Sequence, residues 1–301
     1  MAAANYSEAC LNNALLPKEQ PLPSLERYLE EDRGGVVMLE GSELVAFYAW
    51  ENPMQQQFGL SPGIWSPLHA HATIPERREY LYDRLYQEVA DIMVAQGVFS
   101  SAVTLYCHDE EAVQSFFNNG FGNRCIDSIR ETKPLRVSSE TQIDCRLASA
   151  DDAVEIVTMN NELVDHLNST PLFMSYRRVF TKDEMRHWIA EDDYYTFAVA
   201  TYKGRVIAYI RLQDEGENFI GDSGSMHHIS GAYTLPVYRG TGVSALLLDW
   251  VLAWMRERQY TLCGVDYESI NYTARRFWGK YFMPYTYSLV RRIDERTAER
   301  G

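Results

Sequence analysis

In the second half of the chain the apolar positions change period in a readable order. "YTFAVATYKGRVIAYIRL" (195–212) alternates on either side of Lys203-Gly204, a two-residue hairpin signal. Ahead of it a strand over 142–147 leads into two segments with helical spacing, "SADDAVEIVTMNNELVDHL" (149–167) and "TKDEMRHWIAE" (181–191). After it come a strand "MHHISGAYTL" (226–235), an apolar helix from about 243, a strand "TLCGVDYE" (261–268), a helix over 271–283 and a strand "TYSLVRRI" (286–293). The first half reads alike, with a hairpin "GVVMLEGSELVAFYAW" (35–50) turning at Gly41-Ser42 and a helical segment over 78–89. A strand (98–109) and a helix (109–121) follow. No strand is evident ahead of its hairpin, so that half is expected to be trimmed at the start. The order predicts an α/β fold on a mixed sheet with an antiparallel opening.

The halves can be laid on each other. With a shift of 161 residues, Thr73-Ile74-Pro75 meets Thr234-Leu235-Pro236 and Arg78 meets Arg239. With a shift of 162, Asp109 meets Asn271, Ala112 meets Ala274 and Phe116 meets Trp278. Between them "RETKPLRVSSETQ" (130–142) is polar and aperiodic, as a linker should be. Two related domains are expected, over 1–135 and 141–301.

The stretch "LPVYRGTGVSALLLDW" (235–250) sets two glycines where a helix should begin, although glycine is a poor helix former. Backbone N–H groups exposed there suit an anion. A P-loop needs a lysine after its last glycine, and none follows. Gly240 to Ala245 matches a dinucleotide fingerprint by letter, but that motif opens a large parallel sheet and roughly 60 residues remain here.

Arg239-Gly240-Thr241-Gly242-Val243-Ser244 resembles the Arg/Gln-x-x-Gly-x-Gly/Ala loop of the GCN5-related N-acetyltransferases (GNAT). "NYTARRFWGKYF" resembles that family's Asn-x-x-Ala-x-x-Phe-Tyr helix. The likeness covers Gln142 to about Asp294, with a degenerate form over the first half, as in tandem GNAT proteins. It implies two acyl-CoA N-acyltransferase-like domains in tandem, and acetyl-CoA as cosubstrate without a metal. The diphosphate would lie on residues 239–244, the pantetheine arm near Asn271 and Trp278, and the thioester carbonyl near the backbone of Leu235 and Val237. Pro236 between them has no N–H. In the first half Glu79, Leu81 and Asp83 replace the small residues, and no acyl-CoA binding is expected there.

The implied reaction moves an acetyl group to a primary amine of a small molecule or a peptide N-terminus. The family's tyrosine acid is Trp278 here, and Tyr281, one helical turn on, is the substitute. On strand 261–268 alternation sets Asp266 and Glu268 on one face, with Glu268 as the preferred general base. His227 and His228, being adjacent, face opposite ways, which argues against a metal pair. The acceptor pocket would draw on 159–180, on "LQDEGENFIGDSG" (212–224) and on the interface between halves.

Composition narrows the partners. The net charge of −14 disfavours nucleic acid and anionic membranes and suits a cationic amine. Five scattered cysteines fit a reducing cytoplasm, and there is neither a membrane-length apolar run nor a signal-peptide pattern. Oligomeric state stays open. The alternative is a non-catalytic acyl-CoA-binding or regulatory protein, with a nicotinamide enzyme behind it.

Overall fold

The computed structural model describes residues 1–29, 34–54, 62–137, 142–175 and 178–300. A helix α1 (Ala2–Asn12) precedes a hairpin of β1 (Gly34–Glu40) and β2 (Glu43–Met54), whose turn has Gly41 at φ 63°. Next are β3 (Gly63–Ser66), β4 (His71–Thr73), α2 (Arg78–Ala95), β5 (Ser100–Tyr106), α3 (Glu110–Asn118) and β6 (Gly122–Glu131). The second half runs β7 (Ile143–Leu147), α4 (Ala153–Asn168), α5 (Lys182–Ala190), β8 (Thr196–Tyr202) and β9 (Arg205–Gln213). It ends with β10 (Met226–Thr234), α6 (Val243–Glu257), β11 (Leu262–Glu268), α7 (Tyr272–Tyr281) and β12 (Met283–Arg292). No strand precedes β1 among the described residues.

All strands join one mixed sheet in the order β1-β2-β3-β5-β12-β6-β11-β10-β9-β8-β7, with β4 paired to β2. The halves exchange their last strands. β6 of the first half runs antiparallel beside β11, β12 of the second runs antiparallel beside β5, and the two travellers pair with each other at the centre. Their bounds differ by the 161-residue shift at both ends. Other equivalences repeat in hydrogen bonds. Ile74 N–H donates to Val45 O as Leu235 N–H does to Ile207 O. Asp109 caps α3 by accepting from Ala112 N–H, as Asn271 caps α7 by accepting from Ala274 N–H.

The linker begins later than its composition suggests. Arg130 and Glu131 belong to β6, and Thr132 N–H bonds Thr261 O. Leu135 N–H donates to Asp249 Oδ1 at 2.6 Å, so this arm is fastened to the second half. Residues 138–141 lie outside the described residues.

Helices cover both faces. α6 and α7 bury Leu247, Leu248, Val251 and Trp278 against Ile229, Cys263 and Val265, while α4 and α5 cover Phe197, Val199 and Tyr209 on the opposite face. α2 and α3 do the same for the first half with Leu81, Leu85, Val89 and Phe116. A further core joins the halves: Tyr6 of α1, Leu68, Ile129 and Tyr285 meet Phe219 and Ile220 of the β9–β10 connection. Among the described residues no helix is long and apolar enough to cross a membrane.

Candidate active site

β10 and β11 run parallel through four register pairs, from Met226↔Leu262 to Ile229↔Val265. A bulge on β10 between Ile229 and Gly231 then turns the strand away. Beyond it Gly231–Thr234 pairs with β9, and Asp266–Glu268 pairs with β6. The sheet therefore opens between β10 and β11 at their C-terminal ends, where α6 starts.

The glycine loop stands at this opening. Gly240 and Gly242 have φ of 79° and 94°, the left-handed region that penalises a side chain. A Cβ placed on either would meet no heavy atom within 4 Å, so the space outside the backbone is clear. Gly242 caps α6 without a side-chain hydrogen bond, and the first helical bond runs from Leu246 N–H to Gly242 O at 3.0 Å. The N–H groups ahead of it, including those of Val243 and Ser244, face outward at the positive end of the helix dipole. Val243 buries its side chain in the core and presents only its backbone.

Neighbouring side chains brace the loop. Thr241 Oγ1 donates to Tyr238 O at 2.7 Å, and Ser244 Oγ and Thr234 Oγ1 lie 2.9 Å apart. Arg239 folds back, its Nε donating to Thr234 O at 3.0 Å and its guanidinium 5.0 Å above the Tyr233 ring. These residues fit a diphosphate: two open glycines, unpaired helical amides and one cation within a turn.

The carbonyl site is narrower than the sequence suggests. Leu235 N–H is engaged by Ile207 O at 3.0 Å, because the chain continues the β9 ladder for one residue past β10. That withdraws Leu235 as a donor. Val237, whose residue is 80% exposed, has no backbone acceptor for its N–H among the described residues.

The α7 residues divide. Asn271 holds the N-cap, its Oδ1 accepting from Thr273 Oγ1 and from Ala274 N–H, which leaves its amide NH2 to donate outward. Trp278 is 7% exposed and its ring lies edge-on to Phe277 and Phe282 in the core, so it offers a coenzyme little surface. Tyr281 is not brought to the opening. α7 runs back along β11, and Tyr281 O accepts from Arg130, which pairs with Cys263. Glu268 pairs with Cys125 at the other end of that ladder. Five residues of strand separate these levels, roughly 16 Å. The backbones of Tyr281 and Glu268 therefore stand toward opposite ends of β11, which speaks against one reacting centre served by both as acid and base.

Glu268 is half-buried and bonded to Arg124 Nε at 3.0 Å. Burial pushes its carboxyl above the usual range against the pull of Arg124. Val265 and Tyr267 point into the α6–α7 core, so Asp266 and Glu268 share the opposite face, as alternation requires. His227 and His228 divide in the same way: His227 stacks on Tyr260 beside Trp254, and His228 lies 3.3 Å from Asp266.

A cluster around Asp266 is not apparent from the sequence. Asp127 of β6 stands directly across from it in register and is 2% exposed. Thr286 and Asn218 donate to Asp127 Oδ2, while Oδ1, buried, accepts from nothing among the described residues. Burial raises the Asp127 carboxyl to about 6. Glu217 is also held above the usual range, chiefly by the charge of Asp266. His228, 1% exposed, is driven down by burial but carried up overall by its bond to Asp266. Its ring is seated where Cβ atoms on Gly216 and Gly264 would intrude. Asp127 comes from the first half, and a strand's partner across 139 residues leaves no local signature. Among the described residues no group of three His, Cys, Asp or Glu could hold a metal ion.

Comparison with known families assigns this half: residues 161–282 match the acetyltransferase (GNAT) family. The chain carries a GNAT domain. That domain spans the bulged β10, the glycine loop, α6, β11 and α7. Among solved structures, a GCN5-related N-acetyltransferase from Sphaerobacter thermophilus aligns at 14% identity over 96% of this chain and 91% of its own, with a TM-score of 0.54. One from Kribbella flavida aligns at 13% identity over 91% and 95%, with a TM-score of 0.48. A tandem GNAT protein from the clavulanic acid biosynthesis pathway aligns at 10% over 97% and 94%, at 0.45. The first of these extends the fold likeness to nearly the whole chain. No curated protein matches it.

Proposed function

We propose that the protein is an N-acetyltransferase that moves an acetyl group from acetyl-CoA to a primary amine. The observation that carries this reading is the open glycine loop at the mouth of the β10–β11 opening, within a GNAT domain. The amides of Gly240, Gly242, Val243 and Ser244 and the Arg239 guanidinium hold the diphosphate, and Asn271 donates to the pantetheine arm. Val237 N–H stabilises the oxyanion as the carbonyl carbon becomes tetrahedral. The amine nitrogen attacks that carbon, the C–N bond forms, the C–S bond breaks and the amine's proton leaves to a base. Glu268 takes that role, its raised carboxyl lying closer to neutral pH than a solvated one. Thiolate is a competent leaving group, so coenzyme A departs and takes its proton from water. The donor site belongs to 141–301, and 1–135 walls the acceptor side.

The test is thiol release from acetyl-CoA against an amine panel. Amine-dependent release that falls in Glu268→Gln with unchanged acetyl-CoA affinity supports the reading. Binding without release for every amine favours the second reading, a non-catalytic acyl-CoA binder, for which the core position of Trp278 speaks.

A further inference from the structure

Between the halves lies a cavity of about 460 Å³. Its walls are aromatic on two sides, with Trp65 and His69 from the β3–β4 segment and Phe219 from the β9–β10 connection. Four carboxylates line it, those of Glu51, Glu215, Glu217 and Asp222, against the single guanidinium of Arg27. That guanidinium is matched, since Arg27 Nη2 lies 2.7 Å from Glu51 Oε1. His69 adds no charge at neutral pH, because burial lowers it to about 4. Glu215, Glu217 and Asp222 have no lysine or arginine within ion-pair distance among the described residues. Glu215 accepts a hydrogen bond from Tyr194, and its charge raises the Asp222 carboxyl after burial has done so.

The carboxylate wall is held in place by its backbone. Gly216 and Gly221 approach so closely that a Cβ on Gly216 would lie 2.8 Å from Gly221 Cα. This pinch sets Glu217 and Asn218 at the cavity's inner end, where Asn218 Nδ2 donates to Asp127 Oδ2 at 2.8 Å. Asp127 faces Asp266, the first residue of β11 beyond its last pair with β10. Through Asn218 the cavity wall thus abuts the Asp127–Asp266 pair beside the β10–β11 opening. Behind the Asn218 wall, Asp127 Oδ1 is buried and has no hydrogen-bond partner among the described residues.

Resting on the transferase reading above, we propose that this cavity is the acceptor site and that its acceptor is a small amine bearing a second cationic group. One nitrogen lies beside Glu217, on the side toward Asp266, and is the one acetylated. The other stays charged and is held by Glu215 and Asp222, with the carbon spacer against Trp65 and Phe219. An uncharged acceptor would bring no cation to three carboxylates that have no lysine or arginine partner among the described residues, and a monoamine would neutralise one end alone. Aromatic faces add to the attraction for a desolvated ammonium.

Calorimetry with 1,4-diaminobutane and 1-aminobutane tests this, with acetyl-CoA titrated on the same preparations of wild type, Glu217→Gln and Trp65→Ala. The diamine is expected to bind about tenfold more tightly than the monoamine, the size of one partly desolvated charge pair. Glu217→Gln and Trp65→Ala are each expected to weaken the diamine by a similar factor and leave acetyl-CoA affinity unchanged. Equal affinity for the two amines, or diamine binding indifferent to both substitutions, overturns the proposal. Diamine selectivity without acetyl-CoA binding supports the cation site and overturns the transferase reading on which its catalytic role rests.

Discussion

Arg78 of α2 is bound at both terminal nitrogens by Glu8 of α1, at 2.8 and 3.3 Å, and the guanidinium also lies 3.1 Å from Asp109. Arg78 is the counterpart of Arg239, and Asp109 that of Asn271. In the second half the corresponding ground is open. In the first, α1 supplies a carboxylate of its own, Leu81 fills the core and Asp83 accepts from Ser115 and Asn119. An acidic, occupied site cannot take a diphosphate. Titration should give one acetyl-CoA per chain, and Arg78→Met should leave that number unchanged. The same substitution leaves Asp109 buried without its cation, which should cost about 3 kcal/mol in denaturant unfolding.

Asp127 is a stability liability at neutral pH. Its folded carboxyl titrates near 6, above the ordinary value of 3.8, so the folded state favours the proton. Stability is full below about pH 4 and falls as pH rises through 6, by on the order of 3 kcal/mol for a shift of about two units. Asp127→Asn can still accept from Thr286 and Asn218. It should therefore raise the melting temperature at pH 7.5 and bring no gain at pH 4. A gain that is the same at both values would mean that the shift is not the cause.

Gly264 is required by His228 rather than by any turn. A Cβ there would lie 2.3 Å from His228 Nδ1 and 3.0 Å from Met226 Sδ. Gly264→Ala should displace the imidazole from Asp266 and cost roughly 1–3 kcal/mol by overpacking. NMR of the His228 ring should show its titration moving toward that of an unpaired histidine. An unchanged titration would show that the ring had room.

The strand exchange makes the halves interdependent. Separating them breaks the β6–β11 and β5–β12 ladders and bares the edges of β11 and β5. Thermal unfolding of the whole chain should be one transition followed alike by every probe. The fragment 141–301, which lacks β6, should aggregate or lack cooperative unfolding, and adding fragment 1–135 during refolding should restore it. Two separate transitions would contradict the exchanged sheet.

These features were unequally legible in the sequence. The Lys203-Gly204 turn and the glycine turn ahead of α6 are written in local residue chemistry, and both stand where the sequence sets them. The 161-residue repeat, legible over the helices, continues into β6 and β12, although no strand over 122–131 is read in the sequence. It could not say that each pairs with the other half, because register is chosen by distant partners. Asp127 and its pairing with Asp266 therefore carry no local signature. The place of Tyr281 is illegible for a related reason: one helical turn beyond Trp278 fixes its spacing, while the direction of α7 over the sheet carries its backbone toward the start of β11.

The cradle at 239–244 is tested most directly by titrating acetyl-CoA into wild type and Gly242→Glu, with far-ultraviolet circular dichroism confirming that both are folded. Wild type should bind one equivalent. The glutamate, forced into φ 94° with its charge among the helical amides, should weaken binding at least about a hundredfold, or two decades at 1.4 kcal/mol each. Equal affinity in the two folded proteins would contradict a diphosphate seated on this loop.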